Sequence, residues 1–224
     1  MLMLMSNESQ PRKILFVLPS LAAGGAERVL ITFMNGADRR YYKPELLSVG
    51  NDGSLAALIN QSIPLYTLGR KSVGKSIFAL YKKLKEIQPD TVVSTMAHMN
   101  YALLVLRPFF PKTNFIVREA ITQSYFLGKY KKYTFLIRGL YRFLYPKADI
   151  ILSPPQKVFD EFKALGLNNE KFHVIRTPVD IENARSAIKL DHIAGQKNAI
   201  RFVCCGRLQH QKGFDRLIEG LAST

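Results

Sequence analysis

Short apolar runs alternate with amphipathic stretches along this chain, and the alternation predicts its elements. Lys13-Ile-Leu-Phe-Val-Leu18 is a continuous apolar run closed by Pro19, the pattern of a strand buried on both faces. Ser20 to Glu27 is a loop of small residues. After it Ala26, Val29, Leu30, Phe33 and Ala37 share one helical face. Glu45 to Val49 and Leu65 to Leu68 read as short strands, with a weak helix over 55–60 between them. Ile77, Leu80, Tyr81, Leu84 and Ile87 mark a helix that Pro89-Asp90 ends, and Thr91 to Thr95 is a strand.

The same order continues. Asn100 to Phe109 is helical, Asn114 to Arg118 a strand, Tyr130 to Tyr145 a helix and Asp149 to Leu152 a strand. Gln156 to Leu165 is a helix and Lys171 to Arg176 a strand. Strand and helix in strict alternation predict an α/β fold, a doubly wound parallel sheet with helices on both faces. Between Ile181 and Asn198 the pattern fades into polar sequence. Ile200-Arg-Phe-Val-Cys-Cys205 then reads as a new buried strand, Gly206 to Gly213 as a loop, and Phe214, Leu217, Ile218 and Leu221 as the start of a helix. One strand and one helix cannot bury both faces of the strand. The expectation is a first domain over 12–190 and the beginning of a second, incomplete Rossmann-like domain over 191–224.

Composition narrows the setting. Of 224 residues 47% are hydrophobic and 22% charged, ordinary values for a globular chain. Against 17 acidic residues stand 32 Lys and Arg, a net charge of +15. Such a surface attracts phospholipid headgroups, phosphorylated substrates or nucleic acid, or is simply basic and solvated. The adjacent Cys204 and Cys205, inside an apolar run, are expected to be small core residues in a reducing compartment. The start of the chain lacks a basic segment ahead of a long apolar one, so no signal peptide is expected. No run reaches the ~18 apolar residues of a membrane span. A cytoplasmic protein, or one on the cytoplasmic face of a membrane, is expected.

Four loops beyond strand ends are candidates for chemistry. Gly24-Gly25 stands before a helix whose free N–H groups attract phosphate or carboxylate; the same pair could be a tight turn without ligand. It is neither G-x-G-x-x-G nor a P-loop. Arg207 and Lys212, between Gly206 and Gly213, suit a diphosphate or form a solvated basic loop. His98, in Ser94-Thr-Met-Ala-His98-Met-Asn100, could bond a sugar or phosphate or be structural. Arg118-Glu119 is a further polar pair past a strand, or a surface ion pair. No metal site is evident.

The segment from Lys129 to Tyr145 joins aromatic and basic residues. Tyr133, Leu136, Ile137, Leu140 and Leu144 form an apolar stripe, and the basic Lys131, Lys132, Arg138 and Arg142 accompany Phe135. Either this helix faces an anionic membrane surface, or it packs on the sheet with its basic side in water.

Three motifs carry a resemblance. Gly24-Gly-Ala-Glu-Arg-Val29 resembles the opening of the GT-B retaining glycosyltransferases of family 4. Phe172-His-Val-Ile-Arg-Thr-Pro-Val-Asp180 resembles that family's interdomain segment, commonly V-I-P-N-P/G-V-D, with Thr177 where Asn is common. Cys205-Gly-Arg-Leu-Gln-His-Gln-Lys-Gly-Phe-Asp-Arg-Leu-Ile-Glu219 resembles the start of its donor domain. The resemblance implies transfer of a sugar from a nucleotide-diphosphate donor to a glycan, lipopolysaccharide or lipid-linked acceptor, with no cofactor. It implies that Arg207 and Lys212 neutralise the leaving diphosphate, that Gly24 and Gly25 face the cleft, and that His98 and Glu119 lie in cleft loops as sugar or acceptor contacts. The family's E-x7-E carboxylates would lie beyond Thr224, so the chain is expected to be a fragment without activity of its own. The competing reading is a non-catalytic basic module for membrane or nucleic acid, although no zinc-finger or RRM signature supports nucleic acid. A nucleotide-sugar epimerase is disfavoured by the absent G-x-G-x-x-G.

Overall fold

The computed structural model describes residues 10–51, 53–122, 124, 128, 130–167, 169–186, 202–206, 208 and 212–222. Seven strands form one sheet: β1 (Arg12–Leu18), β2 (Tyr42–Ser48), β3 (Leu65–Thr67), β4 (Thr91–Thr95), β5 (Asn114–Arg118), β6 (Ile150–Ser153) and β7 (Phe172–Val174). The spatial order is β3-β2-β1-β4-β5-β6-β7, and every pair is parallel. This is the doubly wound sheet that the alternation predicts. The helices are α1 (Gly25–Asn35), α2 (Ile77–Ile87), α3 (Ala97–Leu106), α4 (Thr134–Leu144) and α5 (Gln156–Ala164). Two more follow, α6 (Ile181–Ser186) and α7 (Phe214–Ala222).

The two faces of the sheet have separate cores, as alternating strand positions require. Phe16, Leu18 and Leu46 pack under α1 through Leu30, Ile31 and Met34. Leu15, Val17, Leu47, Val92, Phe115, Val117 and Ile151 lie on the other side, beneath α2, α3, α4 and α5. At the lower edge, carboxylates join the strand starts. Asp90 Oδ2 accepts from Lys13 N at 2.7 Å, and Asp149 takes Phe115 N at 2.7 Å and a forked pair from Arg107 at 3.1 Å. These bonds fix strand register where sequence alternation is too short to do so.

Several expectations shift. The weak helix at 55–60 is one turn of 3-10 helix, Ser54–Leu58. β2 starts at Tyr42, ahead of the expected Glu45, so Lys43 and Pro44 lie inside a strand. The last strand of the sheet shortens to Phe172–Val174. The stretch 130–145 is a short 3-10 turn leading into α4.

The chain divides into two units, with the division between Asp180 and Ile181. In the second, the described part of the expected buried strand, residues 202–205, has no regular structure, and Cys204 and Cys205 are exposed and free. A single strand has no neighbour to complete its backbone hydrogen bonds, so local propensity alone cannot hold it. Ile200 and Arg201 lie outside the described residues. The helix from Phe214 is present, with Leu217, Ile218 and Leu221 all exposed.

Candidate functional site

Connections from β1 and β4 leave to opposite faces of the sheet, so a crevice opens beyond the C-terminal ends of these two neighbouring strands. Gly24 is the N-cap of α1, in extended conformation and without a side-chain cap. A Cβ at Gly24 would collide with the carboxylate of Glu27, whereas Gly25 faces open space. Glu27 is buried and folded back over the turn. Its position, third in the helix, is that of the acidic member of a capping box, and the helix dipole favours a negative charge there. In this conformation the anion at the Gly24-Gly25 turn is the chain's own.

His98 faces the same crevice edge. It is expected in a loop, but β4 passes straight into α3 through Met96 at φ 75°, which places His98 in the first helical turn. Much of its surface is solvent-exposed. Even so, neighbouring groups desolvate the imidazole and push its pKa below the usual value, with Glu27 pulling it the other way.

Arg118 and Glu119 are not a surface pair. Arg118 is 3% exposed and Glu119 2% exposed. Glu119 accepts a hydrogen bond from Asn100 Nδ2 at 2.8 Å and another from the Tyr145 hydroxyl. Asn100 also donates to the Arg118 carbonyl at 3.2 Å and accepts from Ser94 Oγ at 2.7 Å. The network joins β4, α3, β5 and the turn after α4. Burial raises the Glu119 pKa to about 7, against the lowering effect of Tyr145, Asn100 and Arg118. Arg118 Nη2 reaches Thr177 Oγ1 at 3.5 Å, while its Nη1 is buried without a partner. Burial lowers the guanidinium pKa, which Glu119 opposes. Glu119 is thus committed to interior partners, and His98 alone of the two has an open surface.

In the second unit Lys212 is exposed, and Gly206 packs closely on Phe214 and Lys212. Arg207 lies outside the described residues. Among the described residues no group of His, Cys, Asp and Glu could hold a metal ion.

On α4 the expected apolar stripe is rotated. Tyr141 and Leu144 are buried and Ile137 and Leu140 half-buried, whereas Tyr133 and Leu136 face out. The outward face carries Phe135 at 93% exposure, Leu136 at 58% and Phe143 at 73%, together with the exposed Lys132, Arg138 and Arg142. The Lys131 side chain lies outside the described residues.

Sequence reasoning passes over Glu27, Asn100, Tyr145, Arg70 and Lys71. Glu27 has a signal, its three-residue spacing from the N-cap. The others have none, because each acquires its surroundings only when distant strands meet.

The sequence profile of Glycosyltransferase Family 4 matches residues 23–183. A curated relative from Campylobacter jejuni, an N-acetylgalactosamine-N,N'-diacetylbacillosaminyl-diphospho-undecaprenol 4-alpha-N-acetylgalactosaminyltransferase, is 28% identical over 94% of this chain. The chain spans 59% of that relative's length. Anabaena HepE, solved with UDP and glucose, superposes with a TM-score of 0.55 at 20% identity, over 76% of this chain and 46% of its own. A putative UDP-N-acetylglucosamine 2-epimerase from Listeria monocytogenes superposes with a TM-score of 0.52 at 14% identity, over 73% of this chain and 44% of its own. An epimerase thus shares the fold, so the fold by itself does not separate the two reactions. Sequence does separate them, and on that ground the chain, a Rossmann-like GT-B half, belongs to glycosyltransferase family 4.

Proposed function

We propose that this chain supplies the acceptor-side domain of a glycosyltransferase that moves a sugar from a nucleotide-diphosphate donor to a lipid-linked glycan at a membrane surface. The observation that carries the reading is the outward face of α4, where Phe135, Leu136 and Phe143 stand exposed beside Lys132, Arg138 and Arg142. Exposed aromatics amid cations suit the headgroup boundary of an anionic bilayer, where each cation near the surface contributes about 1 kcal/mol. The relative's name places its own acceptor on diphospho-undecaprenol, which favours a lipid partner over nucleic acid. Among the described residues no helix is long and apolar enough to cross a membrane. We assign the membrane surface that α4 meets to the cytoplasmic side.

Donor binding falls to the second domain, beginning near residue 191, with Arg207 and Lys212 neutralising the diphosphate as the glycosidic bond breaks. His98 is the group free to touch an acceptor or sugar in the crevice. Gly25 leaves open space beside it. The part of the relative that this chain does not span is assigned the remaining donor contacts, so turnover belongs to a protein with both halves.

The test is co-sedimentation of the 224-residue chain with phosphatidylglycerol and phosphatidylcholine vesicles. Binding to the anionic vesicles at low salt, release by salt, and loss in Phe135→Ala/Phe143→Ala are expected. Equal binding by that variant, or tighter binding to duplex DNA than to lipid, would refute the reading.

A further inference from the structure

We propose that a cavity beyond the C-terminal ends of β1, β2 and β3 holds the diphosphate of the acceptor, with Arg70 and Lys71 as its cations. The inference rests on the lipid-linked acceptor proposed above. The cavity has a volume of about 420 Å³, and its walls include Ser20, Gly50, Asn51, Gly69, Arg70 and Lys71.

Three loops build it. The parallel ladder runs on past the strands: Val49 N bonds Leu18 O at 3.0 Å, Gly50 N bonds Pro19 O at 3.0 Å, and Arg70 N bonds Val49 O at 2.8 Å. Arg70 is therefore held by the backbone of its neighbour strand. Gly69, at φ 63°, turns the chain immediately before it. A Cβ at Gly50 would press on Pro19 O and Ser20 Cβ at 3.3 Å, so glycine there eases the close approach of the two loops.

The charge in this cavity is unspent. Arg70 and Lys71 are exposed, and among the described residues neither side chain has an ion pair or hydrogen bond. Among the described residues no acidic side chain lines the cavity. Ser20 Oγ accepts from Ala22 N at 3.4 Å, which leaves its O–H free to donate, and Asn51 also lines the cavity. On the far side of the same β1 loop, Glu27 already covers the Gly24 turn. An anion arriving at the crevice is repelled at the helix start and attracted at Arg70-Lys71. Adjacent fixed cations with a planar fork suit the several oxygens of a diphosphate better than a neutral sugar or an acyl chain.

The experiment is titration of the full chain with inorganic pyrophosphate, and separately with UDP, at low salt. Arg70→Ala/Lys71→Ala is expected to weaken pyrophosphate at least about tenfold. The charge-matched Lys112→Ala/Lys147→Ala, at the opposite edge of the sheet, is expected to weaken it less than about twofold. Matching melting temperatures confirm that the variants fold. Unchanged pyrophosphate affinity in the Arg70/Lys71 variant, equal losses in both variants, or UDP binding more tightly than pyrophosphate through this pair would each overturn the assignment. Vesicle binding through α4 is independent of this readout, so the acceptor reading and the diphosphate site fail separately.

Discussion

Glu119 shows how burial converts one side chain into a pH-dependent element of stability. Its pKa rises from 4.5 to about 7 on folding, chiefly because the charged form is desolvated. A carboxylic acid raised in this way favours the folded state fully below its unfolded pKa, and the benefit is lost as pH climbs through its folded pKa. The chain should therefore lose stability as pH rises toward and past about 7. Glu119→Gln keeps an acceptor for Tyr145 and Asn100 but cannot ionise. Its melting temperature should gain on the parent between about pH 5.5 and about pH 8.5. A constant difference across that range would contradict the shifted pKa. Asn100 is the bridge on which this network depends. Asn100→Ala strands Ser94 Oγ and removes one donor from Glu119, and urea unfolding should show a loss of about 2–3 kcal/mol. None of this is apparent from Arg118-Glu119 read as adjacent letters, since a surface ion pair and a buried network have the same local sequence.

α4 illustrates what periodicity can and cannot establish. Its pattern places a helix over this segment, and the helix is there. The buried side depends on the neighbours: Tyr141 stacks with Tyr101 at 5.5 Å and Phe162 at 5.4 Å, which turns Leu136 and Phe143 outward. Leu144→Ala should accordingly cost about 2–4 kcal/mol in a denaturant titration. Leu136→Ala should cost about 0.5 kcal/mol or less, because little area leaves water there on folding. Equal costs would mean that the stripe read from sequence is the buried one. β2 makes a related point. Its apolar core is legible from Glu45 onward, but Pro44 argues against a strand before it. Pro44 is accommodated because β1 pairs along the whole of β2, and Tyr66 donates to Glu45 at 3.2 Å.

The two units of the chain differ in what holds them. In the first, seven strands bury one another's faces between two sets of helices. In the second, α7 exposes Leu217, Ile218 and Leu221 and has no buried residue among those described. Hydrogen exchange should therefore find amides of β1 and β4 protected near the global limit and those of 214–222 exchanging far faster. Comparable protection would require the α7 stripe to be covered. The alternation of elements, and with it the parallel sheet, is legible in the chain, because buried strands and amphipathic helices each have a period written in adjacent residues. The family is legible too, and two of its motifs fall within the matched residues 23–183. Folding alone sets which face of α4 is exposed, that Glu119 is interior, and that Arg70 and Lys71 meet Ser20 at one cavity. Those outcomes depend on contacts between residues far apart in the chain, and local spacing holds no record of them.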